Sequence, residues 1–299
     1  MNAHDFIYDG IKLSEKGYAL CKFSDSGIET IANGSIITWN KVPVLRGRRH
    51  LTASILYDQV LTTTFTICKN PCDGVDVEPI TVEEMRELMR WLNRQQTHRF
   101  QFVDGDYKDY FFNATFNVGK IEIGGLIYGL ELTMETDSPF AHKDIIRTIG
   151  VAKPSSGDWR LSVSDENGHI MSYKRIAFDS STGHLAEPFY IDLGTDEEGA
   201  IVPDKIEVLM YEAGTLQIQN AETGKITTVS DCIRLETITF EYPMVSSNAP
   251  ARPSLSNYFN WRFPKLGGYG PENDPLSSWY FYNPGTYTIY HVINVKLNL

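Results

Sequence analysis

The chain has few cysteines and no long apolar run, and each absence excludes a class of protein. Four of its 299 residues are cysteine, too few and too scattered for the disulfide framework of a small secreted domain. No signal-peptide core or transmembrane helix is apparent, because charged residues interrupt the first apolar stretches. Those residues are Asp5, Asp9, Lys12, Glu15 and Lys16. The sequence therefore predicts a soluble protein made in the cytoplasm.

Positive charge is also scarce. The chain has 27 Lys and Arg against 38 Asp and Glu, which gives a formal net charge of −11. Binding to phosphates is driven by cationic side chains that release counterions. The charge balance therefore disfavours a protein that wraps DNA.

Motifs for catalysis or metal binding are missing. The seven histidines are dispersed, and there is no His-Glu-x-x-His, Gly-x-Ser-x-Gly, P-loop or Rossmann pattern. Cys68 and Cys72 have metal-like spacing but no second pair of ligands. We predict no catalytic residue, metal or cofactor, although a glycosidase needs two carboxylates that are close only in space.

The clearest pattern that is present predicts a helix from about Val82. Thr81 is followed three residues later by Glu84, the spacing of a capping box at a helix N-terminus. Apolar residues then recur three, four and seven apart, which places them on one face that a sheet must cover. They are Val82, Met85, Leu88, Met89 and Leu92.

Strand-like segments surround this helix. Alternating apolar residues and turn signals predict strands near 6–8, 16–23, 36–39, 52–56 and 62–68 before it, and 98–103, 107–118 and 126–135 after it. One helix against such a sheet predicts a two-layer α+β domain over residues 1–140. The polar segment 141–158 is expected to be a linker.

Residues 159–299 show short alternating runs and no helical stripe. The runs cover 160–163, 173–178, 189–193, 205–211, 214–219, 225–229, 233–242 and 286–299. Such spacing between Gly, Pro and Asn turns predicts a β-sandwich or jelly roll. The expected fold class is therefore mainly β, with one helix in the N-terminal domain.

Several short motifs follow one another in the first half of the chain. In order they are Gly-Ile-x-x-Ser-x-x-Gly at 10–17, a basic turn at 46–49, Leu-x-x-Trp-Leu at 88–92, aromatic-x-aromatic-x-Asp at 100–104, a Tyr-rich strand, and Asp-Ser-Pro-Phe at 137–140. This order resembles the N-terminal domain of phage distal tail proteins. The basic turn departs from the acidic turn of many relatives.

The resemblance implies a structural protein of the virion tail tip and no enzymatic activity. It implies a hexameric ring made by the N-terminal domain, with the tail tube protein on one side and the tail-associated hub or lysin protein on the other. A galectin-like second domain would carry receptor-binding proteins. DNA would be a passing cargo, and no membrane partner is expected.

Five arginines are the candidate subunit contacts. Three lie four residues apart on the predicted helix, and two lie in the basic turn. Like charges on one helical face repel unless a partner compensates, so a neighbouring subunit is one interpretation and a solvated face is the other. The candidates are Arg86, Arg90 and Arg94, with Arg46 and Arg48.

An aromatic group near the C-terminus is a candidate glycan or docking surface. Aromatic rings can stack on sugars while amides and carboxylates bond the hydroxyls. The alternative is that these residues pack the edge of the sandwich. They are Tyr258, Trp261, Trp279 and Tyr282, and they support a second possible function, a carbohydrate-binding adhesin that recognises host surface glycans.

Overall fold

The structure is a computed structural model that describes residues 3–21, 36–42, 49–56, 60–69, 78–195, 201–267 and 278–295. The chain divides into two compact units, residues 1–143 with 296–299 and residues 144–295. Both units are rich in strands, and the one α-helix of the described residues belongs to the first. The expected mainly β fold class is confirmed.

The N-terminal unit is an antiparallel sheet with one helix. Its strands are β1 (Phe6–Tyr8), β2 (Ile11–Lys12), β3 (Tyr18–Cys21), β4 (Ile36–Val42), β5 (Arg49–Leu56), β6 (Thr62–Lys69), β7 (His98–Phe102), β8 (Phe111–Ile123) and β9 (Leu126–Thr136). The order in the sheet is β3-β6-β9-β8-β7-β1-β2, and β4 pairs separately with β5. Most strands lie within a few residues of the expected ranges.

Helix α1 (Val82–Leu92) begins with the expected capping box. The Glu84 amide donates to Thr81 Oγ1 at 3.3 Å, and the Thr81 amide donates to Glu84 Oε2 at 2.7 Å. The buried face differs from the prediction, because Val82 is 82% exposed while Trp91 is buried. Met85, Leu88, Trp91 and Leu92 pack against the core, whereas Val82 in the first turn faces solvent.

Aromatic side chains form the core beneath this helix. Rings from three strands meet there, with centroids 5.1 Å apart for Phe6 and Phe100 and 5.0 Å apart for Tyr8 and Phe116. The indole Nε1 of Trp91 donates to the Tyr8 carbonyl at 3.0 Å. Successive strand residues point to opposite faces, so alternating aromatics build one continuous core.

The expected linker, residues 141–158, is mostly a strand. Ala141–Ala152 forms β10, and Trp159–Ser164 forms β11, which pairs with it. Ile145, Ile149 and Val151 share one face of β10 and are buried. The prediction of a linker was wrong because it was based on the polar composition of the segment and not on the spacing of these apolar residues.

The C-terminal unit is the expected β-sandwich. Besides β10 and β11, its strands are β12 (Ile170–Ile176), β13 (Phe178–Asp179), β14 (His184–Leu185), β15 (Phe189–Tyr190), β16 (Lys205–Met210), β17 (Gly214–Asn220), β18 (Ile226–Cys232), β19 (Thr237–Glu241), β20 (Met244–Ser247), β21 (Ser278–Phe281) and β22 (Gly285–Val295). One sheet has the order β12-β11-β10-β22-β16-β19-β20, and the other β15-β21-β17-β18. Buried residues of both sheets form one core.

Residues 233–236 are not part of the strand predicted over 233–242. Leu235 has a φ of +64°, and strand β19 begins only at Thr237. The chain bends here to bury the Glu236 carboxylate, which accepts hydrogen bonds from Arg252, Ser247 and the Ile233 amide. The hydrogen bonds to the Glu236 carboxylate require this bend, and the strand therefore starts after it.

Candidate assembly and binding surfaces

The three arginines that were predicted to share a helical face are exposed, but Arg94 lies two residues beyond the end of α1. Arg94 is held within its own unit, because its Nε donates to the Trp91 carbonyl at 3.2 Å and its Nη2 lies 3.4 Å from Asp9 Oδ2. Arg86 and Arg90 make no ion pair with any other described residue. Two of the three predicted contacts are therefore exposed arginines that no other residue in the described ranges neutralises.

The other two predicted arginines lie elsewhere. Arg46 and Arg48 fall within residues 43–48, outside the part of the chain that the structure describes.

An apolar surface that the sequence analysis missed lies at one end of the N-terminal unit. Strands β8 and β9 are joined by Gly124 and Gly125, whose φ angles are +61° and +82°, as a tight two-residue hairpin requires. Ile123 and Leu126 flank the turn and are 57% and 50% exposed. The signal was the sequence Ile-Gly-Gly-Leu between two alternating runs.

The start of helix α1 lies near this hairpin end. The Ile80 amide donates to the Ile127 carbonyl at 2.6 Å, so the segment that leads into Val82 is joined to β9 one residue after Leu126. We call the exposed group Val82, Ile123 and Leu126 the apolar tip. Exposed apolar side chains that lie close together mark contact surfaces more often than isolated ones do.

The four predicted aromatic residues do not form one platform. Trp279 is fully buried and donates through Nε1 to the Lys265 carbonyl at 2.8 Å. Tyr282 donates to Gln219 at 2.7 Å, and the guanidinium of Arg252 lies over the ring of Tyr258. Trp261 alone is mostly exposed, at 60%.

Trp261 lies at the mouth of a cleft in the C-terminal unit. The cleft has a volume of about 880 Å³ and is lined in part by Tyr242, Phe263 and the buried Trp279. We call it the Trp261 cleft. Its size is that of a site for a small ligand.

Nothing in the described part of the chain resembles a metal site. No group of three or more His, Cys, Asp or Glu side chains is placed to hold an ion there. Asp104, the last residue of the aromatic-x-aromatic-x-Asp motif, accepts from the His4 amide and contacts His4 Nδ1, both at 2.8 Å. The hydrogen bond from the His4 amide lowers the pKa of Asp104.

Membrane insertion through a helix finds no support in the described residues. None of their helices has the length and apolar character that crossing a bilayer demands.

Comparisons with known proteins match both halves of the chain. A family described as phage tail protein N-terminal domain matches residues 1–138, and one described as phage tail C-terminal domain matches residues 173–274. The crystal structure of the SPP1 Dit protein, described as a paradigm of the hub adsorption apparatus in phages that infect Gram-positive hosts, has a similar fold. The TM-score is 0.52 at 9% identity, over 98% of this chain and 100% of that chain. A search of curated proteins found no match.

The two domain matches, in this order, make the chain a structural phage tail protein. Its fold is similar to that of the SPP1 Dit protein, in agreement with the resemblance that the motifs of its first half indicated. Its place is therefore in the virion tail, in assembly with other tail components.

Proposed function

We propose that this chain forms a closed ring of identical subunits at the tail tip. The observation that carries the proposal is the Dit-like fold over nearly the whole chain, together with the two tail-domain matches in order. In this proposal the ring is a hexamer that joins the tail tube protein to the tail-associated hub protein. It also carries the receptor-binding proteins, and the chain catalyses no reaction.

The helix arginines support a contact between subunits. Arg86 and Arg90 are four residues apart and lack a partner among the described residues, an arrangement that costs about 0.2–0.5 kcal/mol in an isolated helix. The same unit exposes Glu122 and Glu131 on the hairpin of β8 and β9. A ring joins one surface of each copy to a different surface of the next, so a basic helix face can meet an acidic hairpin.

The apolar tip supports the same arrangement. Val82, Ile123 and Leu126 together expose hydrophobic area at one end of the unit, and burial of such area stabilises by about 25 cal/mol per Å². Each contact is modest, but ring closure repeats it around the symmetry axis. Assembly therefore needs no single dominant residue.

The charge of the chain fits a ring through which DNA passes. A net charge of −11 repels a polyanion and keeps it from adhering to the wall. DNA is then a cargo and not a ligand. The ring would be built from subunits made in the host cytoplasm.

Light scattering coupled to size-exclusion chromatography of the full chain tests this proposal. We expect a mass six times the 33.9 kDa of the chain. The double variant Arg86→Glu with Arg90→Glu should reduce that mass. The control variant Arg160→Glu reverses the charge of an exposed arginine in the other unit and should leave the mass unchanged. A monomeric wild-type chain at tens of micromolar would refute the ring.

A further inference from the structure

We propose that the Trp261 cleft binds an anionic saccharide, a sugar that carries a carboxylate or phosphate group. The proposal concerns the C-terminal unit alone and does not depend on ring formation. It rests on the backbone of Trp261, the aromatic wall of the cleft and the charges around its mouth.

The conformation and exposure of Trp261 contribute little to the stability of the domain. Its φ is +58°, in the left-handed region that bulky residues rarely adopt, and its side chain is 60% exposed. Such a backbone conformation costs about 1–3 kcal/mol and persists where the surroundings impose it, often at ligand sites. A large exposed ring recovers little of this cost by burial.

Asn260 imposes this conformation. Its Oδ1 accepts from the Thr228 and Arg262 amides, both at 3.2 Å, and its Nδ2 donates to the Ile226 carbonyl at 2.9 Å. The Asn260 amide also donates to the Thr228 carbonyl at 3.1 Å. Asn260 thus fastens the segment to strand β18, and the Arg262 amide closes onto the same side chain, so the backbone of Trp261 is held in place before a ligand arrives.

The wall beside Trp261 is aromatic. Ring centroids of Phe259 and Trp261 lie 5.8 Å apart, those of Phe259 and Phe263 lie 5.0 Å apart, and Phe263 is 5.3 Å from Tyr242. Tyr242 is itself 72% exposed. Two exposed rings supported by a packed aromatic row offer flat apolar faces to the face of a sugar ring.

The floor of the cleft is rigid. Asn220 Nδ2 donates to the carbonyls of Lys265 and Gly267 at 2.9 and 3.0 Å, and its Oδ1 accepts from the Thr223 amide at 2.7 Å. Trp279 Nε1 donates to the same Lys265 carbonyl. These hydrogen bonds hold the floor of the cleft in place without a ligand.

The charge around the cleft selects an anion. Lys225, Arg262 and Lys265 line it and are exposed. None of the three forms an ion pair with another described residue, and the described lining contains no carboxylate. In a chain of net charge −11, three cations at one aromatic cleft that form no ion pair within the described part of the chain favour a ligand with both a ring and a negative charge.

Saturation-transfer NMR on the full chain tests the proposal, because it observes the ligand and works at any oligomeric mass. The probes are glucuronic acid and glucose 6-phosphate, with glucose as the neutral sugar and glycerol 3-phosphate as the anion without a ring. We expect transfer to the ring protons of both anionic sugars, with dissociation constants about tenfold lower than that of glucose. No transfer to glycerol 3-phosphate is expected.

Variants assign the binding to the cleft. Trp261→Ala and Arg262→Ala should each weaken binding of both anionic sugars about tenfold, and Trp261→Phe should recover part of it. Arg234→Ala, an exposed arginine of the same unit outside the lining, should leave it unchanged. Circular dichroism melting should show that all four variants fold.

Four results would overturn the proposal. They are equal binding of glucose, equal binding of glycerol 3-phosphate, no transfer to either anionic sugar, or wild-type affinity in folded Trp261→Ala.

Discussion

The two tryptophans of the Trp261 cleft have opposite roles. Trp279 of β21 is buried and hydrogen-bonded, lies opposite Phe189 of the neighbouring strand β15, and belongs to the sandwich core. Trp261 is exposed on a fastened segment with a left-handed backbone. The sequence placed both tryptophans in one aromatic group but could not show which of them is buried. Burial of Trp279 depends on pairing with strands that are far away along the chain.

Glu236 and Arg252 form the buried ion pair of the sandwich. Burial opposes ionisation of Glu236, but hydrogen bonds from Arg252, Ser247 and the Ile233 amide outweigh it and lower the pKa of the carboxyl. A carboxyl whose pKa is lower in the folded state stabilises the protein above its unfolded pKa of about 4.3 and loses that effect as the pH falls. Glu236 therefore makes the C-terminal unit sensitive to acid.

Glu236→Gln should reveal this contribution. At pH 7 the variant leaves the Arg252 charge buried without a counter-charge, which should lower the free energy of unfolding by about 3 kcal/mol. The difference from wild type should shrink as the pH falls below about 4.3, because the carboxyl then protonates in the unfolded chain before it does so in the folded one. Urea unfolding at several pH values, followed by tryptophan fluorescence, measures both effects.

Glu241→Gln is the matched control, since Glu241 is exposed at the end of β19. It should change the unfolding free energy little at any pH. A difference for Glu236→Gln that stays constant from pH 7 to pH 3 would show that ionisation of Glu236 does not stabilise the fold.

At the scale of elements, helix α1 was predictable because its signals are local. The capping box, the three- and four-residue spacing and the end near Trp91 all lie within twelve residues. Strand β10 was not predictable in the same way, because Arg147 interrupts the alternation of Ile145, Ile149 and Val151. It forms a strand because it pairs with β11 and because its apolar residues pack into the sandwich core. Much of that core comes from residues far away in the sequence, so a local pattern does not reveal it.

Thr81→Ala should loosen the first turn of this helix. Loss of the N-cap hydroxyl removes the acceptor for the Glu84 amide and should lower the free energy of unfolding by about 1 kcal/mol. Thr81→Ser keeps the hydroxyl and should behave as wild type. Hydrogen exchange with mass spectrometry should show faster exchange at the start of α1 in the alanine variant, and equal exchange in both variants would contradict the capping role.

At the scale of the whole molecule, each unit has its own core. The first hydrophobic cluster draws its buried residues from Phe6 to Ala141, and the second from Ile145 to Ile293. The predicted domain ranges, 1–140 and 159–299, missed the strands between them because residues 141–158 have a polar composition. A chain ended after Lys143 keeps every buried residue of the first cluster.

That truncation leads to the last prediction. If the N-terminal unit makes the ring, residues 1–143 alone should assemble to six times the mass of the fragment, because Arg86, Arg90 and the apolar tip all lie within it. Residues 144–299 should remain monomeric, since they lack these surfaces. Light scattering on both fragments measures the two masses, with circular dichroism to verify that each fragment folds. A folded but monomeric 1–143 fragment beside a hexameric full chain would move the ring contacts to the C-terminal unit.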